Sequence, residues 1–320
     1  MQRLKKLISF IYLVLNRCDI RTSWFFADWI GAGNVGVVKS FRLERGILEH
    51  KPSGRRFPIT VKSFWNHRLF ELYRAIRDYG FLYNDAFLFD LRLASNSIPL
   101  QIELASNHSF PIFFEIFEEE LYGFYLNKPC VVIDVGANIG MASLYFALRE
   151  NVKRVYSYEL LPANSEFLKR NIGLNELFST KIVLNPVGWS NVKGQAYLDD
   201  LPAGTADKGL ADIEGRNEGK GQCLVNFIRA DVELSNIIDS IGNESIVLKL
   251  DCEGSEYEII DQLNSSNLLN RIDLIMIEWH FHSIAKMIEC LNVAGFAVVN
   301  RNIPNDGGLR GLLYAIKSCS

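Results

Sequence analysis

The stretch VVIDVGANIG, residues 131–140, constrains the fold of this chain more than any other part of the sequence. The apolar residues up to Val135 predict a buried strand, the two glycines that follow predict a tight turn, and MASLYFALRE predicts a helix. Because glycine tolerates a positive φ and has no Cβ, a ligand can approach the main chain of such a turn closely. A strand, a glycine turn and a helix in this order are typical of a site for a nucleoside-bearing cofactor.

After Cys130 the sequence alternates between strand and helix patterns, which is typical of parallel β-α-β units with right-handed crossovers. The predicted strands are VVIDV, RVYSYE, KIVLNPV, SIVLKLD, LIMIEWH, FAVVN and GLLYAIK. The predicted helices span residues 141–150, 162–175, 232–240, 255–263 and 283–292. The fold class expected from this pattern is α/β and Rossmann-like, with a mostly parallel seven-stranded sheet and helices on both faces.

The sequence predicts two regions that meet between residues 121 and 122. Residues 1–121 are expected to form a smaller, mixed α/β accessory region with helices and a β-hairpin made by FLFDLRL and IPLQIEL. Its first helix contains the apolar run LISFIYLVL, which is too short to span a bilayer but leaves a peripheral membrane contact open. Residues 122–320 are expected to form the cofactor-binding domain, with an insertion at 192–222 whose flanking segments, AYL and CLVNFI, pair as strands.

Charge and cysteine content narrow the partners and the compartment. With 34 basic and 37 acidic residues, the formal net charge is −3, so we expect no nucleic-acid partner and instead a small-molecule or glycan substrate. The six cysteines contain no CxxC pair, which predicts reduced thiols in a cytoplasmic protein. The sequence does not define the oligomeric state.

A first set of candidate site residues belongs to the glycine turn. Glu159 ends the second strand, close to the roughly 20-residue spacing at which an acid accepts hydrogen bonds from ribose hydroxyls. Dinucleotide sites require a glycine where Asn138 stands, so that the pyrophosphate can approach the backbone. Asp134 would repel phosphate, but it could help to hold a cationic amino group. These residues favour a phosphate-free cofactor such as S-adenosylmethionine.

A second set follows two later strands. Lys249 and Asp251 carry charge on a strand that is otherwise apolar, which is costly unless the charges are paired or form a site. Glu278 and His280 end the strand LIMIEWH at the same edge of the sheet, and histidine is a natural general base near neutral pH.

The helix after Asp251 has an explanation that needs no function. Ser255 is expected to cap its N-terminus, while Glu256 and Glu258 would lie in its first turn and interact favourably with the helix dipole.

Four motifs in order, DVGANIG, YELLPANSEFLKRNIGLN, KLDCEGSE and IMIEWH, resemble the FkbM-type methyltransferases over about residues 122–317. That family consists of S-adenosylmethionine-dependent O-methyltransferases, so the resemblance implies the Rossmann-like class I methyltransferase fold. One departure from the family pattern is that Leu160 and Leu161 precede Pro162, where the family usually has EPxP. The resemblance implies that Glu159 holds the ribose and that the rest of the cofactor is lined by Asp134, Gly136, Asn138 and Gly140.

The resemblance also implies the reaction, which is methyl transfer to a hydroxyl of a sugar, a glycan or glycolipid, or a secondary metabolite. Asp251 is the first candidate for the base and His280 the second, with Glu253 and Glu256 as substrate or metal contacts. A divalent metal held by Asp251, Glu253 and Glu278 would acidify the acceptor hydroxyl. Two alternatives are open: a non-catalytic binding or scaffold protein of the same fold, and a Rossmann-fold oxidoreductase that uses NAD(P).

Overall fold

The computed structural model describes residues 41–44, 47–50, 55–58, 82–84, 86–92, 99–105, 109–200, 203, 221–302 and 310–318. The chain divides into two compact units, one ending at Pro111 and the other running from Ile112 to Ser320. The domain boundary expected between residues 121 and 122 stays a prediction. The expected N-terminal helix and most of the 192–222 insertion lie outside the described residues.

The described part of the first unit consists of two small antiparallel sheets. One contains β1 (Phe41–Glu44), β2 (Ile47–His50) and β3 (Arg55–Pro58), and the other contains β4 (Leu82–Asn84), β5 (Ala86–Arg92) and β6 (Pro99–Leu104). Strands β5 and β6 pair with Phe87 opposite Leu104, in the antiparallel arrangement that the hairpin prediction requires.

Ten strands follow in the described part of the second unit. They are β7 (Cys130–Val135), β8 (Val152–Tyr158), β9 (Ile182–Asn185), β10 (Gly188–Ser190), β11 (Gly194–Asp199), β12 (Gln222–Arg229), β13 (Ser245–Leu250), β14 (Leu274–His280), β15 (Phe296–Asn302) and β16 (Arg310–Lys317). Seven of them form one sheet in the order β9-β8-β7-β13-β14-β16-β15. Strand β16 runs antiparallel to both of its neighbours, and the pairs from β9 to β14 are parallel. This order is that of the class I methyltransferase fold and confirms the predicted fold class.

The remaining three strands form a small sheet around the insertion. Strand β12 pairs with β10 in parallel and with β11 in antiparallel register, so the two segments that flank the insertion are partners, as the sequence predicts.

One helix precedes the main sheet, and the others lie between its strands in the sequence. They are α1 (Ser109–Phe117), α2 (Met141–Ala147), α3 (Pro162–Gly173), α4 (Glu176–Ser179), α5 (Ala230–Ser240), α6 (Glu256–Ser265) and α7 (Ala285–Val293). The core on one face of the sheet joins Val131 and Ile133 of β7 to Leu234 of α5, Ile259 of α6 and Leu291 of α7. Among the described residues, none of these helices is both long and apolar enough to cross a membrane.

The order of the sheet brings the candidate residues to one edge. From β7 the chain continues to β8 and β9 on one side, and later to β13 and β14 on the other, so the order reverses between β7 and β13. Ligands of open α/β sheets bind beyond the carboxyl ends of the strands at such a reversal. Gly136 follows β7 there, Asp251 follows β13, and His280 ends β14.

Candidate active site

The glycine turn after β7 uses all of its backbone N–H groups in hydrogen bonds within the chain. The five bonds are Gly136 N–H to the Tyr158 carbonyl at 3.0 Å, Ala137 N–H to the same carbonyl at 2.9 Å, Asn138 N–H to Glu159 Oε2 at 2.7 Å, Ile139 N–H to Asn138 Oδ1 at 2.8 Å and Gly140 N–H to the Ala137 carbonyl at 2.9 Å. A phosphate-binding turn needs N–H groups that point at the anion. Residues 136–140 have none to offer, because each of theirs already has an acceptor.

Glu159 supports this turn from the end of β8. Its carboxylate accepts hydrogen bonds from the N–H groups of Asn138 and Leu161, and it is almost completely buried. Burial raises the pKa of Glu159, although these hydrogen bonds act in the opposite direction. The contact with ribose that the sequence predicts for Glu159 stays a prediction, and Asn138, which Glu159 holds, lines the adjoining cavity.

Asp134 and Lys249 form a buried ion pair beneath the turn. Lys249 Nζ lies 3.0 Å from Asp134 Oδ1, and Ser143 Oγ donates to Asp134 Oδ2 at 2.5 Å. Lys249 also donates to the Gly136 carbonyl at 2.7 Å. Burial lowers the pKa of Lys249, but Asp134 and Asp251 outweigh that effect and hold the pKa above its ordinary value. Lys249, for which the sequence suggested no specific role, is thus the cation that pairs with Asp134. The contact with a cofactor that the sequence predicts for Asp134 stays a prediction.

A cavity of about 480 Å³ opens beside the turn at the carboxyl ends of β7, β13 and β14. The turn and the start of α2 form one wall, and apolar side chains of α1 and the following segment form another. Its ionisable lining residues are Glu115, Tyr122, Lys249, Asp251, Glu253, Glu278, His280 and Arg310. The cavity therefore joins the predicted cofactor turn to the predicted catalytic residues.

His280 lies at the centre of the acidic wall. Its Nδ1 atom is 3.3 Å from Glu256 Oε1, and its Nε2 atom is 3.7 Å from Glu253 Oε2 and 3.9 Å from Glu278 Oε1. Burial lowers the pKa of His280, but the hydrogen bond with Glu256 and the charges of Asp251 and Glu253 raise it to about 9. An imidazole with this pKa is mostly protonated at neutral pH, so the ring in this state is a poor general base.

Two of the neighbouring carboxyl groups also have shifted pKa values. The pKa of Glu253 is raised to about 8, mainly by burial; His280 acts to lower this pKa, and Asp251 acts to raise it. The pKa of Glu278 is raised to about 7, mainly by burial and next by the charge of Asp251. Several acids thus share one small volume and resist simultaneous ionisation.

Glu256 has a structural role that differs from the sequence prediction. Ser255 is the N-cap residue, and Glu256 and Glu258 lie in the first turn, as the sequence predicts, but the Ser255 side chain makes no capping hydrogen bond. The fully buried carboxylate of Glu256 instead accepts hydrogen bonds from the N–H groups of Cys252 and Gly254, each at 2.8 Å. Glu256 therefore fixes the turn after β13 and orients His280, and the substrate contact expected for it stays a prediction.

Tyr122 is a site residue that the sequence analysis missed. Its hydroxyl oxygen lies 3.3 Å from Asp251 Oδ2 and 3.5 Å from Glu278 Oε2, so its one proton can be donated to either carboxyl group, and its ring centre lies 5.4 Å from Lys249 Nζ. Burial raises the pKa of Tyr122 well above its ordinary value, and Asp251 and Glu278 raise it further. No periodic pattern distinguishes Tyr122 from Tyr125, which is 85% exposed, so local sequence patterns do not identify Tyr122 as a site residue.

The structure therefore brings most of the predicted residues together. Asp251, Glu253 and His280 offer ligand atoms that all lie within 4.8 Å of one another, and they are the group among the described residues that could hold a metal ion. Glu278 lies beside this group, with its Oε1 atom 3.9 Å from His280 Nε2, and the metal contact expected for Glu278 stays a prediction.

Comparison with known proteins adds a family and several relatives. The family model of the methyltransferase FkbM domain matches residues 134–298, which is more than half of the chain. The methyltransferase sdnD of Sordaria araneosa is 27% identical over 205 residues, covering 56% of this chain and 78% of sdnD. The AMB antimetabolite synthetase AmbE of Pseudomonas aeruginosa is 26% identical over 223 residues, covering 57% of this chain but 10% of AmbE. The solved structure of methyltransferase FkbM from Methylobacillus flagellatus KT is 15% identical, with a TM-score of 0.42, and the match covers 63% of this chain and 47% of that one.

Proposed function

We propose that this chain, which belongs to the FkbM methyltransferase family, transfers a methyl group from S-adenosylmethionine to a hydroxyl oxygen of a small-molecule or glycan acceptor. The family membership supports methyl transfer as the reaction class. The choice of cofactor, acceptor and catalytic residues is argued from the site.

The observation that carries the proposal is the hydrogen bonding of the glycine turn. Because every N–H group of residues 136–140 has an acceptor within the chain, the turn offers no donor to a pyrophosphate. This disfavours NAD(P) and with it the oxidoreductase alternative. S-adenosylmethionine has no phosphate and carries a positive sulfonium and an ammonium group, which suit a cavity lined by Asp251, Glu253 and Glu278.

We assign the methionine and ribose parts of the cofactor to the cavity wall formed by Gly136, Ala137 and Asn138, with Gly140 at the end of the turn and Glu159 behind it. Lys249 holds this wall in place, since it binds the Gly136 carbonyl. When bound, S-adenosylmethionine supplies a methyl group on a positively charged sulfur. The protein contributes mainly by holding donor and acceptor in a near-attack geometry, for which effective molarities can be very large.

Asp251 is the proposed base. Its side chain is 28% exposed, and it faces the cavity between the turn and His280. Lys249 Nζ, at 3.6 Å, and the Tyr122 hydroxyl, at 3.3 Å, both approach Oδ2. This leaves Oδ1 to accept the proton that the acceptor hydroxyl loses as its oxygen forms the new bond to carbon. His280, whose ring lies among the carboxyl groups of Glu253, Glu256 and Glu278, stays the second candidate for the base.

A small acceptor is the better match for this cavity than a nucleic acid. The chain has a net charge of −3, and the cavity wall that faces the acceptor is acidic, whereas a nucleic acid needs positive charge for its phosphates. One relative is by name a synthetase of an antimetabolite, and this also favours a small molecule.

Titration calorimetry with S-adenosylmethionine and with NADH tests the cofactor. We expect saturable binding of S-adenosylmethionine with one site per chain and no binding of NADH. Binding of NADH alone would overturn the proposal. A screen of sugar, glycolipid and metabolite hydroxyls with radiolabelled methyl donor then identifies the acceptor, and transfer of label to nitrogen or carbon only would contradict the assignment to oxygen.

Tyr122→Phe is expected to lower kcat about 10-fold without changing the affinity for S-adenosylmethionine. The substitution keeps the ring and removes the hydroxyl that orients Asp251, and a hydrogen bond to a charged group contributes about 1.5 kcal/mol or more. Tyr125→Phe removes the same hydroxyl from an exposed ring nearby and is the matched control. Equal rates for the two variants would show that Tyr122 only packs against the cavity.

A further inference from the structure

We propose that Asp251, Glu253 and His280 bind a divalent metal ion in the cavity. Their ligand atoms lie within 4.8 Å of one another among the described residues, close enough for a single ion to reach all three. Asp251 and Glu253 belong to the turn after β13, and His280 ends the neighbouring strand β14. The three ligands therefore come from two elements that the parallel sheet holds side by side.

The hydrogen bonding of His280 is a second observation that points to a metal. Its Nδ1 atom faces the carboxylate of Glu256 at 3.3 Å, and Glu256 is completely buried and fixed by two backbone N–H groups. A metal-binding histidine almost always donates its other ring N–H to a carboxylate or carbonyl, which fixes its tautomer and its direction. Glu256 is in the position to do this.

The other nitrogen of the same ring is left for a ligand. His280 is 5% exposed, and its Nε2 atom makes no hydrogen bond within the described part of the chain, since the nearest carboxylates, of Glu253 and Glu278, are 3.7 and 3.9 Å away. These separations are too long for hydrogen bonds. They lie between the roughly 3.0 Å that separates adjacent donor atoms and the roughly 4.2 Å that separates opposite donor atoms around one ion with bonds of about 2.1 Å.

The charges around the three ligands also suit a cation. Glu278 and Glu256 add two more carboxyl groups. The nearby cations are fewer: Lys249 Nζ lies 3.0 Å from Asp134 and 3.6 Å from Asp251, and Arg310 lies 4.0 Å from Glu278. Two carboxylates with one imidazole favour a first-row divalent ion such as Mn²⁺ over Ca²⁺, which prefers oxygen ligands alone.

The function of the ion rests on the proposed methyl transfer, whereas its binding does not. Three protein ligands leave coordination positions open towards the cavity, where an acceptor hydroxyl can bind and become more acidic. One oxygen of Asp251 then binds the ion, and the other remains the proton acceptor.

Direct metal binding tests the proposal on the full chain after removal of bound metal with a chelator. We expect MnCl₂ titrations, followed by calorimetry and by the electron paramagnetic resonance of free Mn²⁺, to give one saturable site. Glu253→Gln and His280→Gln are expected to weaken Mn²⁺ binding at least about 10-fold, and Glu256→Gln about 10- to 100-fold. Glu289→Gln alters an exposed acid on α7 outside the cavity and is expected to bind Mn²⁺ as the unaltered protein does.

Two outcomes overturn the metal site. One is the absence of saturable Mn²⁺ binding, in which case His280 is an imidazolium that balances the surrounding acids. The other is an equal affinity for Mn²⁺ in all four variants. Thermal unfolding identifies any variant that fails to fold. Glu253 is only partly buried, so Glu253→Gln tests the metal site without altering the buried ring of His280. Parallel titration with S-adenosylmethionine separates the proposals, because failure to bind that cofactor contradicts the function and failure to bind Mn²⁺ contradicts only the metal.

Discussion

Asp251→Asn is expected to reduce the rate of methyl transfer by a factor of roughly 10²–10⁴, the usual contribution of a positioned general base. Asparagine has the same shape as aspartate but does not accept the proton of the acceptor hydroxyl. The buried ion pair between Lys249 and Asp134 remains in this variant, so Lys249 keeps a partner and the glycine turn keeps its support. The affinity for S-adenosylmethionine should therefore change little.

The rate is measured with the acceptor identified by the methyl-donor screen, and cofactor affinity is measured by calorimetry. Asp261→Asn is the matched control, because Asp261 lies on α6 with a side chain that is 43% exposed and pairs with Lys286 outside the cavity. A normal rate for Asp251→Asn would remove Asp251 as the base. A large loss of cofactor affinity in the same variant would instead assign Asp251 to cofactor binding.

The main sheet could be predicted from the sequence because parallel strands buried on both faces have continuous apolar segments. Val131–Val135 and Leu274–Ile277 are such segments, and each is followed by a turn and a helix. The edge of the sheet that carries the site followed from the same pattern, since carboxyl ends of parallel strands share one edge. The candidate site residues at the ends of β7, β13 and β14 could thus be assigned to one edge of the sheet from the sequence alone.

The contacts between side chains at this edge depend on which strands are neighbours in the sheet. Local sequence patterns do not determine that strand order. Lys249 and Asp134 are opposite each other in the register of β13 and β7, so the charge that was costly on one strand is balanced from the next. Tyr122 reaches Asp251 from a segment without regular periodicity. Glu256 resembled an ordinary residue of a first helical turn, and its contact with His280 depends on the backbone bend at residues 253 and 254, where φ is positive.

Gly136→Ala is expected to lower the free energy of unfolding by about 2–5 kcal/mol and to weaken cofactor binding. The backbone at Gly136 has φ +78°, where an L-residue with a side chain costs about 1–2 kcal/mol. A Cβ there would lie 1.7 Å from the carbonyl oxygen of Asp251, and relieving this overlap by moving backbone costs about 1–3 kcal/mol more. Since the clash is with main chain, the turn and the residues after β13 must move apart, and both belong to the proposed site.

Gly221→Ala separates the two causes, because Gly221 also has a positive φ, +82°, but a Cβ there would meet nothing within 4 Å. We expect this control to lose about 1–2 kcal/mol, from the backbone conformation alone. Urea denaturation of both variants measures the difference, and calorimetry with S-adenosylmethionine measures the effect on the site. If the two variants lose the same stability and both bind the cofactor normally, the close approach of the glycine turn to Asp251 does not constrain the site. A larger loss for Gly136→Ala, together with weaker cofactor binding, would mean that the turn packs directly against the backbone of the proposed base, and that it can do so because residue 136 has no Cβ.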